Sequence, residues 1–345
     1  MAEDILRAVS AAKAAAILAR IGIEVDGWAE EQLATVVASS PNGQEPQRPN
    51  PLKLRPAAVI FEEVERAGPR SFLIEGLMVK GSYGVVGATF KGLKTFDACD
   101  LAVSVVTGTP WLDHFACRAP GAVTAYFGGG DPAAMRRWFY AILEARGGGP
   151  EDLEGLHMAF RVPRFGSADQ IKIVRDDLEG LRPVLCVIDP AYIAAAGGKG
   201  GSLFDMGELL APIQETCQEF GSTLCAVWHW NQTGQGTGAI RFTGAGAAEW
   251  GRFLGSAAVE RKTSEEGVTE TLSRWEFIGS EIPDTAFRVR RRVWADDPGD
   301  PDSPLHTDVK VTDTTGQVWS GRSRVLAALG PEGKGLTTAR RSGTR

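Results

Sequence analysis

From Ile74 onward, short apolar runs alternate with amphipathic stretches. YGVVG (83–87), AVTAYF (122–127), LHMAFRV (156–162), VLCVID (184–189) and TLCAVWH (223–229) are apolar almost throughout and read as strands. Between them, 94–107, 132–146, 168–180 and 203–220 carry helical spacing. Strands that are apolar along their whole length and separated by helices belong to a parallel sheet covered on both faces, so the pattern predicts a doubly wound α/β core. After about residue 253 the period changes to two, in SAAVERK (256–262), TETLSRWEFI (269–278) and AFRVRRRVW (286–294). These predict antiparallel strands that extend or cap the sheet from about 255.

Upstream, residues 3–20 and 27–38 have helical apolar spacing, and the Pro-, Asn- and Gln-rich stretch after them has none. The expected organisation is therefore a helical N-terminal element (1–38), a linker (39–56) and a core domain (57–330). The Gly-rich, basic tail (331–345) reads as disordered.

Composition narrows the classes. With 43% hydrophobic and 23% charged residues the chain is of ordinary globular make-up. It has no apolar run of about 18 residues or more, so neither a membrane span nor a secretory signal is expected. Five scattered cysteines without a CxxC pair fit a reducing compartment, and the expected location is the cytoplasm of a bacterial cell or phage-infected host. A net charge of −6 argues against a surface coated in positive charge for wrapping nucleic acid, although a local basic groove is compatible with it.

The strongest chemical signal is VVGATFKGLKTF, where a strand runs through a Gly-containing loop into Lys94, Thr95 and a helix. A phosphate-binding loop needs that order: backbone N–H groups and a helix N-terminus cradle phosphates, the Lys reaches the β/γ oxygens, and the Thr ligates Mg²⁺. The candidate ATP-binding residues are Gly87, Ala88, Thr89, Phe90, Lys91, Gly92, Leu93, Lys94, Thr95 and Phe96. The spacing is one residue longer than G-x-x-x-x-G-K-[ST], and Leu93 stands where the second Gly is expected unless Gly92 replaces it. An ordinary Gly-rich turn fits the loop alone. Asp189, closing VLCVIDP, is the candidate carboxylate for Mg²⁺ together with Thr95. The run FRVRRRVW puts Arg288, Arg290 and Arg292 on one strand face and Arg291 on the other. Such a stripe suits a nucleic-acid backbone, but pairing with nearby acids (Glu276, Glu281, Asp284, Asp296, Asp297) is the favoured reading.

From about Phe72 to Trp250 the chain resembles the RepA-like and DnaB-like branch of the RecA-fold P-loop ATPases. FLIEGLMVKGSYGVVGA, DACDLAVSVVTGTPWLD, VIDP and AVWHWNQTGQG carry the likeness. The resemblance implies a RecA-like sheet, subunits in a ring (a hexamer is one form) or filament, ATP held between neighbours, and action on single-stranded DNA in replication or recombination. Other replication proteins would dock on the N-terminal helices. It makes His229 a candidate γ-phosphate sensor, against the alternative of a core histidine. It turns the Gly-rich segment after His229 into a DNA-facing loop, with Asn231, Gln232 and Arg241 as contacts. Lys199, in a second Gly-rich segment expected to be a loop, joins them. Arg241, or else Arg252, is a candidate arginine finger, and a merely solvated Arg is the alternative.

One departure bears on mechanism. Where the family carries a water-activating Glu, this chain has Gly130, followed by Asp131. Either Asp131 substitutes from one residue further on, or it is only the N-cap of a helix opening with Pro132. A weakly hydrolysing accessory or loader protein, switched by nucleotide, is therefore the rival to a DNA motor.

Overall fold

The structure is a computed structural model that describes residues 54–88, 93–195, 203–229 and 250–312. The expected helices at 3–20 and 27–38, the linker up to residue 53 and the 331–345 tail lie outside the described residues. The chain divides into two compact units, 1–69 and 70–345. In the first, helix α1 (Ala57–Ala67) follows Pro56, and Arg55 pairs with Glu63 at 2.5 Å.

The second unit opens with a small hairpin, β1 (Phe72–Ile74) and β2 (Met78–Val79). It continues through β3 (Tyr83–Ala88), α2 (Lys94–Thr107), β4 (Val123–Phe127), α3 (Pro132–Ala145), β5 (Leu156–Ala159), α4 (Ala168–Leu181), β6 (Leu185–Asp189), α5 (Ala191–Ala194), α6 (Leu203–Glu219) and β7 (Thr223–His229). Four long strands complete it: β8 (Phe253–Glu265), β9 (Val268–Gly279), β10 (Thr285–Ala295) and β11 (Leu305–Thr312).

One nine-stranded sheet has the order β11-β10-β9-β8-β3-β7-β6-β4-β5. Pairings from β8 through β3 to β5 are parallel, and those from β8 out to β11 are antiparallel. This is the doubly wound α/β core with an antiparallel C-terminal extension that the hydropathy pattern predicts, and it agrees with the RecA-like sheet that the resemblance implies. The two halves differ in burial as their sequences do. Every residue of β4 and β6 is buried, because helices cover both faces, whereas β10 alternates along its first half. Residues of α2 and α3 share one apolar core with Trp111, Phe115 and the inner side chains Trp275, Phe277 and Phe287 of the extension. Residues of α4, α5 and α6 form the core on the opposite face.

The junction of the halves depends on one small residue. A Cβ at Gly84 would lie 2.1 Å from the Phe253 carbonyl oxygen and 2.6 Å from its ring, so only glycine lets β8 pair alongside β3.

Three expectations need correction. The strand expected over 156–162 ends at Ala159. The stretch expected to be a loop after Asp189 begins as helix α5, because AYIA retains helical propensity before the glycines arrive. Three of the four arginines of β10 pair, but not with the acids nearest in sequence, and Arg290 Nε is buried without a hydrogen-bond partner. Arg288 binds Glu260, Arg292 binds Asp308, and Arg291 binds Asp97 and Asp100. Among the acids expected to serve them, Glu281 instead holds Arg70 and Arg252, Asp296 holds His306, and Glu276 holds Arg274.

Candidate nucleotide site

Parallel strands deliver their carboxyl ends to one edge of the sheet, and the site is assembled there. Ala88 closes β3 and is in register with His229 at the end of β7. Asp189 closes β6, in register with Phe127 at the end of β4. The turn that follows β4 stays attached, since Gly128 N donates to the Asp189 carbonyl oxygen at 2.7 Å. Helix α2 begins at Lys94, so Lys94 and Thr95 occupy its first turn.

No side chain caps the N-terminus of α2. Its N-cap, Leu93, is left-handed at φ 59° and ψ 16°, a conformation that costs a non-glycine residue on the order of 1–2 kcal/mol. The phosphate-loop pattern places glycine at this position for that reason. Here the leucine side chain packs against the core on the α2 face, and that contact offsets the strain.

Lys94 and Asp189 are buried, at 8% and 3% exposure. Thr95 hydrogen-bonds the Asp189 carboxylate, and Lys94 faces it electrostatically. Burial pushes the Asp189 pKa up to about 6, with the Thr95 hydrogen bond and the Lys94 charge pulling the other way. Burial likewise lowers Lys94, partly opposed by Asp189. One carboxylate oxygen, Asp189 Oδ2, is buried without a hydrogen-bond partner. An orphaned anionic oxygen inside a protein is costly unless a cation or donor reaches it.

Beside the Thr95 hydroxyl, that oxygen fits Mg²⁺, which is commonly held by one or two protein oxygens, the rest coming from phosphates and water. Among the described residues no group of three or more His, Cys, Asp or Glu could form a protein cage for a metal. The uncapped amides of α2 and the Lys94 ammonium fit phosphate oxygens.

Asp131 is the N-cap of α3: its Oδ2 accepts from Ala134 N at 3.0 Å, and Pro132 opens the helix. The structural reading of GGGDP thus holds, and an exposed carboxylate is left beside the strand ends. Phe96 turns its side chain into the core, 5.9 Å from the Trp138 ring. Arg252 lies 3.3 Å from Glu281 and over the Tyr83 ring, engaged within its own chain. Thr89, Phe90, Lys91, Gly92, Lys199, Asn231, Gln232 and Arg241 lie outside the described residues.

Sequence reasoning missed the supports of α2. Asp97 and Asp100 are buried on that helix and held by Arg291 and Arg146. Two acids three residues apart in the otherwise apolar DACDLAVSVV were the available signal. Burial raises the Asp97 pKa to about 7, with the Arg291 charge opposing it.

A family model described as an AAA domain matches residues 48–235, more than half of the chain and the whole stretch from β1 to β7. No curated protein matches. Among the described residues no helix is long and apolar enough to cross a membrane.

Proposed function

The chain belongs to the AAA domain family of P-loop ATPases, and on that premise we propose that it is an ATP- and Mg²⁺-dependent ATPase that acts on single-stranded DNA as an oligomer. The observation that carries the nucleotide chemistry is the convergence of Lys94, Thr95 and the orphaned Asp189 oxygen at the strand ends. The resemblance to RepA-like and DnaB-like proteins supports the DNA-acting part, a ring of subunits, and docking of other replication proteins on the N-terminal segment.

In this reading the Lys94 ammonium and the amides of α2 bind the β- and γ-phosphates and orient the terminal phosphoryl group. Mg²⁺ bound with ATP neutralises phosphate charge, and Thr95 and Asp189 would hold it. His229 reports the γ-phosphate to the segment after β7. Asn231, Gln232, Arg241 and Lys199 meet DNA phosphates, and Arg241 or Arg252 completes the neighbouring subunit's site.

ATP turnover with and without single-stranded DNA tests the proposal. A motor is strongly stimulated by DNA, and Arg241→Ala lowers single-strand affinity and its salt dependence while an isolated subunit still binds ATP. A specific observation favours a second reading. Gly130 supplies no base and Asp131 stands one residue beyond that position, at the N-cap of α3, which suits an accessory or loader protein that binds ATP as an assembly switch. Slow turnover indifferent to DNA, with intact ATP binding, would select that reading.

A further inference from the structure

The first two turns of α2 carry Lys94 and Thr95, the candidate phosphate and Mg²⁺ residues, and they are gripped from the antiparallel extension of the sheet. Arg291 lies on β10, two strands beyond β8 in the antiparallel extension. The residue is buried at 2% exposure, and its guanidinium meets Asp97, Asp100 and Phe96 of α2. Arg291 Nη2 lies 2.9 Å from Asp97 Oδ1 and 2.6 Å from Asp100 Oδ2, and its Nε donates to Asp97 Oδ1 at 3.1 Å. The guanidinium covers the Phe96 ring at 4.9 Å. Trp111 Nε1 donates to the Asp97 carbonyl oxygen at 3.2 Å, and Arg146 holds the other oxygen of Asp100.

Three consecutive contacts on Phe96, Asp97 and Asp100 fix both the rotation and the axial position of the helix start. A planar guanidinium fork does this in a way a single ammonium cannot. Two buried carboxylates on one helix would repel each other without it. The same strand carries Arg288 and Arg292, which pair with Glu260 and Asp308 inside the extension.

We propose that Arg291 is a positioning residue for the nucleotide site, acting through Asp97 and Asp100 to hold Lys94 and Thr95 where they meet the phosphates and Mg²⁺. The antiparallel extension is then part of the ATP-binding apparatus. This rests on the ATP-binding reading above.

The test uses the full chain and a fluorescent ATP analogue, titrated with and without Mg²⁺, alongside thermal melts. Arg291→Lys should remain folded and bind the Mg²⁺-analogue about tenfold more weakly, since a displacement near 1 Å at a positioned group can cost up to about 10²-fold. KM for ATP should rise more than kcat falls. Because Arg291→Met alone strands two buried carboxylates and can fail to fold, the double variant Asp97→Asn/Arg291→Met removes the charges together and leaves Asp100 paired with Arg146. It should melt near the wild type yet bind more weakly than Arg291→Lys. Arg288→Met breaks the pair with Glu260 inside the extension and should bind the analogue as the wild type does.

Wild-type affinity in the Arg291→Lys and double variants while they are folded would overturn the inference and leave ATP binding standing. An equal loss in Arg288→Met would also overturn it, making the extension's general stability responsible. No binding by the wild type itself would overturn the underlying ATP reading instead.

Discussion

Replacing Asp189 by Asn should make the nucleotide-free protein more stable while weakening its hold on Mg²⁺ and ATP. The carboxylate is buried, one of its oxygens has no partner, and its pKa stands near 6. Relative to an ordinary aspartate that is a rise of about two units, and at about 1.4 kcal/mol per unit the ionised form destabilises the fold by roughly 3 kcal/mol at neutral pH. Asn keeps the shape and can still accept from Thr95, but it forgoes the attraction of Lys94, so the expected gain is about 1–3 kcal/mol. For a unit of this size that is a melting-temperature rise of roughly 3–10 °C.

The pH dependence has a defined sign. The folded state binds the Asp189 proton more tightly than the unfolded chain, so wild-type stability falls as pH rises from about 4 to about 6. The advantage of Asn should open across that window and vanish below it. Adding Mg²⁺ and ATP should shrink the advantage of Asn by up to about 2.7 kcal/mol, since a ligand at a hundred times its Kd stabilises the wild type by that amount and the variant by much less. Melts at pH 4 to 8, with ATP alone and with Mg²⁺ and ATP, measure all of this. An Asn variant less stable than the wild type at pH 7.5, or one with the same Mg²⁺-dependent shift, would refute the assignment of Asp189.

Lys94→Ala should lower ATP affinity by about 10²-fold or more, as loss of a charge-assisted phosphate contact of about 3 kcal/mol implies; calorimetric titration showing unchanged affinity would mean the loop is misplaced. Gly130→Glu should raise ATP turnover by part of the ~10²–10⁴ that a positioned base contributes. The new Cβ would lie 3.0 Å from the Met135 side chain, which is flexible enough to yield. No gain, together with lost activity in Asp131→Ala, would show that Asp131 already serves as base. His306→Gln should flatten the stability curve above neutral pH. Burial opposes the imidazolium, but hydrogen bonds to Asp296 at 2.9 Å and Glu144 at 2.8 Å raise its pKa. The clasp is therefore fully present below about pH 6.5 and is lost as pH rises through the raised value; parallel melting curves for the two proteins would exclude it.

The parallel half of the fold was legible because its central strands are apolar almost throughout, and helix α2 spans the 94–107 expected of it. Strand β11 was not, since LHTDVKVT places Thr and His among its alternating positions and declares itself only through its register with β10. The candidate site was readable as a list of residues and not as an arrangement. Asp189 and Thr95 were paired as Mg²⁺ ligands from the motifs, but nothing in the sequence says that one Asp189 oxygen stays buried and unpaired. The partners of Arg291 lie more than 190 residues away, at Asp97 and Asp100. Local charge patterning proposed acids close in sequence, and long-range burial chose others.

Three locally unfavourable features meet at this one edge of the sheet: a left-handed leucine, a helix N-terminus without a side-chain cap, and a buried carboxylate oxygen without a partner. The same features occur separately elsewhere, in the left-handed Leu112, the uncapped start of α5 and the unpaired Asp308 Oδ1, whereas at this edge they coincide. Departures from local preference that cluster on a rigid scaffold are characteristic of binding sites, because the surrounding fold must over-determine them. A single ligand combining phosphate oxygens with a divalent cation would satisfy the helix amides and the carboxylate together. Neither an anion nor a cation alone would do both. Asp131 fits the same division of roles. Uncapping α3 to free it would require only about 1 kcal/mol, less than a factor of ten in rate. The capping bond is thus too weak to decide whether Asp131 serves catalysis; the one-residue offset from Gly130 is the larger obstacle, and Gly130→Glu addresses it directly.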